Sequence, residues 1–305
     1  MKRQTGNLVQ IHLAVLLFGL AGLFGKIIAL PASLIVLGRA FFAALFLVSL
    51  IKVKQEPLRI DQGKDILRFL FIGLMLAFHW VAFFQSIQLS SVAIGVLTFS
   101  SFPVFTTLLA WGWDQKTPRW QDVLFSALTI AGVYLVVPPF SIDDTSSQGV
   151  LWGLASGASF AVLALANRDL VSRYKSRQLS MMQNAVAAIC LLPWLWLENW
   201  RFQEIDLAWL VLLGIVFTGL SHTLFIGGMK SIRPQLASII ASLEPVYAVF
   251  AAWWWLGEKP EGRIWWGGGL ILLATTLAAV LEFVAQKRTS QLPGGNRDVH
   301  HAETH

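Results

Sequence analysis

Apolar residues run through the chain in stretches long enough to cross a bilayer, separated by short polar segments that hold most of its charge. A crossing helix needs about 20 such residues. The runs predict ten helices: Leu8–Ala29, Ala32–Ile51, Ile66–Ile87, Val92–Trp113, Asp122–Val137, Val150–Asn167, Leu179–Leu197, Leu207–Met229, Leu236–Leu256 and Ile264–Val284. The first follows a basic leader, Met-Lys-Arg-Gln-Thr-Gly-Asn, but no small-residue cleavage site precedes the second run, so it is read as a retained helix. From about Ala285 the pattern turns polar with Pro and Gly, which predicts a disordered tail over 285–305. The expected fold class is an all-α polytopic membrane protein.

Composition sharpens this. Of 305 residues 56% are hydrophobic and 13% charged, where a soluble domain carries roughly a quarter charged, so a soluble globule is excluded. A single cysteine, Cys190, excludes a disulfide framework. It also leaves no metal-ligand set, and no metal or cofactor is expected. The net charge of +6 does not point to nucleic acid, because the basic residues sort by membrane side. If ten helices alternate, 18 basic residues fall on one side and three (Arg201, Lys259, Arg263) on the other. The rule that basic loops stay inside then puts both termini in the cytoplasm, with the chain expected in the bacterial inner (plasma) membrane. Tryptophans gather near the expected helix ends, as interfacial indoles do, with Trp80 alone near mid-span.

An offset of 142 residues lays Pro103 on Pro245, Val104 on Val246, Trp111 on Trp253, Trp113 on Trp255 and Pro118 on Pro260. The same offset lays Lys26 on Arg168. The chain therefore reads as two copies of a five-helix unit, at 8–137 and 150–284. Five being odd, the second copy enters the membrane from the opposite side. Such inverted repeats let two halves rock about a central site. The plainer reading is a duplicated structural bundle.

At these positions the sequence resembles the EamA family of the drug/metabolite transporter superfamily. The resemblance is carried by Leu243-Glu244-Pro245-Val246, by Trp255-Leu256-Gly257-Glu258-Lys259-Pro260, and by the glycine-containing last helix from Gly267. The first-half counterparts are Phe102-Pro103-Val104 and Trp113-Asp114-Gln115-Lys116-Thr117-Pro118, where the usual loop glycine and glutamate are missing. The resemblance implies a ten-helix exporter or permease, with a cavity lined by helices one, three, four, six, eight and nine. It also implies substrates among amino acids, related metabolites or cationic compounds.

Ionisable groups at membrane depth are costly and usually face a cavity or a partner. His79 lies about mid-depth in the third helix and shares a face with Phe83, beside Trp80. It is a candidate for proton exchange or carboxylate binding, against a packing role. Glu244 precedes Pro245, whose ring frees the carbonyl of Ala241. A broken helix with an adjacent acid suits a substrate or ion site, and equally a stabilised kink. Pro103 marks the matching kink in the first half. His222 falls one position from the repeat equivalent of His79. Thr98, Ser101 and Ser242 offer hydroxyls near the kinks, for substrate or for freed backbone groups. Lys26 reads as snorkelling to the interface. Arg39, about 10 Å inside the second helix, reads as a structural pin or as lining an outer vestibule.

Together these residues predict a non-enzymatic transporter that exports a small amphipathic metabolite by alternating access. The small-molecule substrate, an amino acid or related compound, and the lipid bilayer are its expected partners, with a monomer as one compatible assembly. No nucleotide-binding motif is present, so a gradient or the substrate itself must supply the driving force. The competing readings are an uncoupled facilitator, a multidrug or cationic-compound exporter, and a non-transporting scaffold or receptor.

Overall fold

The computed structural model describes residues 2–60, 62–114, 119–137, 141, 143–228, 240–241 and 243–290. The regular secondary structure of the described residues is helical, with no strand among them. In chain order they form α1 (Lys2–Ala21), α2 (Phe24–Ile27), α3 (Ala32–Val53), α4 (Lys64–Leu89), α5 (Val92–Phe99), α6 (Phe102–Asp114) and α7 (Trp120–Val136). These are followed by α8 (Thr145–Arg173), α9 (Ser176–Leu191), α10 (Trp194–Leu197), α11 (Glu204–Gly214), a π-helical segment (Ile215–Leu220), α12 (Ser221–Gly228), α13 (Glu244–Leu256) and α14 (Gly262–Ser290). Among the described residues seven helical stretches are long and apolar enough to cross a membrane, and Trp120–Val136 is apolar but shorter. Ser242 and the tail from 291 onward lie outside the described residues.

Local chemistry explains the ends and the breaks. Ser91 caps α5 by accepting from the amide of Ile94, and Asp144 caps α8 by accepting from Ser147. Gly257 closes α13 in the left-handed region at φ 67°, where a Cβ would be strained. The expected helix Val92–Trp113 is two helices, because Pro103 has no amide to give and sits in the first turn of α6. Pro193 likewise separates α9 from α10, and the expected Leu207–Met229 helix carries the π segment. None of these interruptions alters the hydropathy of the run that contains it. The first helix begins at Lys2, well before the apolar run.

The helices pack as α4 on α8, α3 on α9, α7 on α14, and α1 on α12 and α13. Further contacts join α8 to α5 and α6, α5 to α13, α4 to α9, and α3 to α11. The main core runs through α3, α4, α8 and α9, with Phe84, Ile35 and Leu170 fully enclosed. The outside stays apolar, with Trp266 78% and Trp254 71% exposed, which suits a surface bathed in lipid rather than water. Close helix approach rests on small residues. A Cβ on Gly153 of α8 would collide with Thr98 Oγ1 of α5 and lie 2.9 Å from Ser86 Oγ of α4, whereas one on Gly269 would meet nothing.

Gly153→Val therefore lowers stability by roughly 1–3 kcal/mol through overpacking, and Gly269→Ala changes it little. Thermal unfolding of the detergent-solubilised protein, followed by tryptophan fluorescence, checks both.

Candidate functional site

A cavity of about 390 Å³ lies among α1, α3, α4, α5, α8, α9, α12 and α13. Its apolar side is built from Phe18, Leu76, Phe83, Phe99, Phe160 and Leu163. Its charged and titratable side holds Arg39, His79, His222 and Glu244, with Trp80 between. From there it runs toward the turn between α8 and α9, where Asn167, Ser176, Ser180 and Gln183 line it. Gln183 Nε2 donates to Asn167 Oδ1 at 2.7 Å.

Each polar member is held by a neighbour. Arg39, 5% exposed, donates from Nε to Thr218 Oγ1 at 2.7 Å, and its guanidinium lies 3.9 Å from the centre of the Trp80 ring. Stacking a cation on an indole face compensates part of its lost hydration. Thr218 belongs to the π segment, where its hydroxyl donates to the Leu213 carbonyl at 2.9 Å while accepting from Arg39. His222 Nδ1 lies 2.7 Å from the carbonyl of the same threonine. The π segment thus presents one residue to both a cation and a histidine, a use typical of such bulges.

His79 is buried, with Nδ1 3.0 Å from the Ser156 carbonyl and 2.9 Å from Ser156 Oγ. Its ring sits between Phe99 and Phe160 at 5.2 and 5.1 Å. A carbonyl only accepts, so in both histidines Nδ1 carries a proton, and when the ring is neutral Nε2 is an acceptor. Glu244 opens α13 and makes no hydrogen bond or ion pair among the described residues.

Of the residues singled out in the sequence, the cavity brings together His79, Trp80, Phe83, His222, Glu244 and Arg39. Arg39, expected as a pin or as lining an outer vestibule, lines this cavity. Thr98 and Ser101 are absent from its lining; their hydroxyls donate to the carbonyls of Ile94 and Thr98, at 2.6 and 2.7 Å, around the α5–α6 break. Pro103 and Pro245 border a second cavity of about 430 Å³, which shares Phe18, Phe99, Phe160 and Glu244 with the first. These four form the partition between the two. Phe18 and Phe160 escaped the sequence reading, although the 142-residue offset superposes them, as it does Phe83 and Phe225.

The two ends of the bundle differ. At one end Lys26, which is exposed, donates from Nζ to the carbonyls of Ser90, at 2.8 Å, and Gln88, at 3.3 Å, and so holds the α4–α5 turn. Beside it the Glu258 carboxylate accepts from the Val92 amide at 3.1 Å, and Ser33 Oγ donates to Glu198 at 2.7 Å. No residue of this end lines the first cavity. At the other end Arg173 donates to both oxygens of Asp65, at 2.6 and 2.9 Å, and Tyr174 adds a bond of 2.7 Å. Arg177 is bonded to Glu56 there and holds its carboxylate below the ordinary value of 4.5.

A bundle of apolar helices, broken where they meet a buried polar cavity that reaches one end, is the architecture of a membrane transporter. The chain belongs to the EamA-like transporter family, which matches it in two segments, residues 7–137 and 147–280. It is 23% identical over 269 residues to the uncharacterized transporter YxxF of Bacillus subtilis, covering 85% of each chain. It is 28% identical over 229 residues to the pseudopaline exporter CntI of Pseudomonas aeruginosa, covering 74% of this chain and 78% of that one. A solved crystal structure shares the fold with a TM-score of 0.65 at 17% identity, over 92% of this chain and 99% of that one.

The lowered Glu56 value fixes a sign. A carboxylate depressed by folding adds stability above its unfolded value, near 4.5, and loses it as the pH falls through the lower folded value. Glu56→Gln therefore melts below wild type near neutral pH, and the gap closes in acid. Melting curves of both proteins between about pH 7 and about pH 3 check this.

Proposed function

We propose that the protein exports amino acids or related small metabolites across a bacterial inner membrane by alternating access. In this reading ten membrane helices form two inverted five-helix repeats, with both termini cytoplasmic. The observation that carries the function is the cavity itself, which combines one cation, one carboxylate, two histidine acceptors and an aromatic wall in a buried volume of metabolite size. The name of the pseudopaline exporter supports the direction of transport.

The packing supports the inverted repeat. With the expected helices numbered one to ten, contacts pair helix three with six and eight with one, four with six and nine with one, and three with seven and eight with two. Exchanging the halves converts each member of these pairs into the other. Position by position, Glu56 corresponds to Glu198 at the 142-residue offset, and both receive a bond from the opposite half, from Arg177 and Ser33. The family's match in two segments supports the duplication.

In this account His79, Trp80, Phe83, Arg39, His222 and Glu244 hold the substrate, with Ser242 two residues before Glu244 in sequence. Pro103 and Pro245 mark the places about which the halves move. Thr98 and Ser101 serve the backbone at the break. The carboxylate of Glu244 beside Phe18, Phe99 and Phe160 favours a second reading, export of cationic compounds.

Cells producing the protein are expected to survive toxic amino-acid analogues better than control cells. His79→Ala and Glu244→Gln, at equal expression, are expected to lose most of that protection. Proteoliposome flux with and without a pH gradient separates a proton-coupled carrier, whose rate responds, from an uncoupled facilitator, whose rate does not. Absence of flux for every solute offered supports the scaffold reading instead.

A further inference from the structure

We infer that Arg39 selects the substrate, by holding a carboxylate in the cavity while Glu244 faces the ammonium group of the same molecule. This rests on the transport reading and narrows it to zwitterions, at the expense of simple cations.

A guanidinium has five N–H groups and no acceptor. One of these, at Nε, goes to Thr218 Oγ1, and Arg39 makes no other hydrogen bond or ion pair among the described residues. The side chain is nevertheless 5% exposed. A residue whose role is to pin helices together spends its donors on protein carbonyls or carboxylates, as Arg173 does on Asp65 in this same molecule. Arg39 keeps four N–H groups in reserve and lines a cavity.

Its neighbours also fix its attitude. Trp80 covers one face of the guanidinium at 3.9 Å, and Thr218 occupies the Nε position. The part left for a ligand is the edge bearing the two terminal nitrogens, whose planar fork matches a carboxylate with two parallel bonds. Lysine, a point charge, cannot reproduce that match.

The opposite charge completes the site. Glu244 lines the same cavity and forms no ion pair with Arg39. Two opposite charges that share a buried cavity without joining are each completed by a ligand carrying both signs. The Nε2 atoms of His79 and His222 have no partner among the described residues, and with Nδ1 protonated they are acceptors for the N–H groups of an ammonium. The wall of Leu76, Phe83, Phe99 and Phe160 suits an apolar side chain.

The test is counterflow of labelled L-leucine and L-phenylalanine into proteoliposomes, with each amino acid, its amide and its N-acetyl form as competitors. Wild type is expected to bind the free amino acids at least about tenfold better than the amides, since a site built for a polar group rejects the analogue that lacks it. Arg39→Gln is expected to bring the amino acid down to the level of the amide while leaving the amide unchanged, and Arg39→Lys to fall between. Equal competition by acid and amide in wild type, a comparison that needs no variant, overturns the inference. So does an equal loss for both compounds in Arg39→Gln, which makes Arg39 structural. Transport of the lipophilic cation ethidium with no response to amino acids also overturns it, while leaving a transporter. Failure of the wild-type protein to move any of these probes removes the transport reading beneath it.

Discussion

A permanent positive charge inside an apolar helical bundle is the constraint on which the rest of this structure depends. Arginine does not deprotonate at any ordinary pH, so Arg39 cannot be made neutral and must instead be compensated in place. The compensation reaches several elements at once. Trp80 of α4 supplies an aromatic face, Thr218 of the π segment supplies an oxygen, and a cavity supplies room for something polar. The π segment is the least ordinary of these, since an uninterrupted α-helix would turn Thr218 to a different direction. Its local distortion is repaid in the contacts to Arg39 and His222.

The same logic governs the interrupted helices. Without water, a backbone group freed by a break must find a partner in protein or face a cavity. Around the α5–α6 break the hydroxyls of Thr98, Ser100 and Ser101 cover carbonyls of the preceding turn. Ser100 and Pro103 border the second cavity, on the far side of the partition made by Phe18, Phe99, Phe160 and Glu244. The α5–α6 break, the partition and the buried charges therefore border the same pair of cavities. The closed end, stitched by Lys26, Glu258 and Ser33, uses short contacts between chain segments and few paired charges. The other end uses arginine–carboxylate pairs between chain segments more than 100 residues apart in sequence, Asp65 with Arg173 and Glu56 with Arg177.

Much of this was legible in the sequence, for physical reasons. Apolar length is a strong signal because a bilayer demands it, and the seven spanning stretches among the described residues lie on predicted runs. Pro103 marked the α5–α6 break, while Pro193 went unmarked, and rare ionisable residues within apolar runs marked His79, Glu244 and Arg39. What the sequence did not convey is which way a side chain faces. A helix that is apolar all round has no polar face to give its orientation, so the depth of Arg39 was evident while its place on the cavity wall was not. Thr98 and Ser101 drew notice as hydroxyls near a kink, but a hydroxyl one turn along a helix satisfies its own backbone first. The π segment left no trace because it changes hydrogen bonding without changing composition. The aromatic partition was recoverable, since the repeat offset that aligned the prolines also aligns Phe18 with Phe160.

The central claim is that the polar cavity is open to one side of the membrane at a time and is the place where substrate sits. Ser180 lines its open part, and Cys190 is the lone native cysteine. The most direct measurement is thiol labelling of Ser180→Cys, on a Cys190→Ala background, by an impermeant reagent applied to either face of sealed vesicles. The account predicts labelling from the face that carries the α8–α9 turn, slowed by the transported solute and absent from the other face. Equal labelling from both faces, or labelling that is indifferent to a solute the protein demonstrably moves, would contradict it.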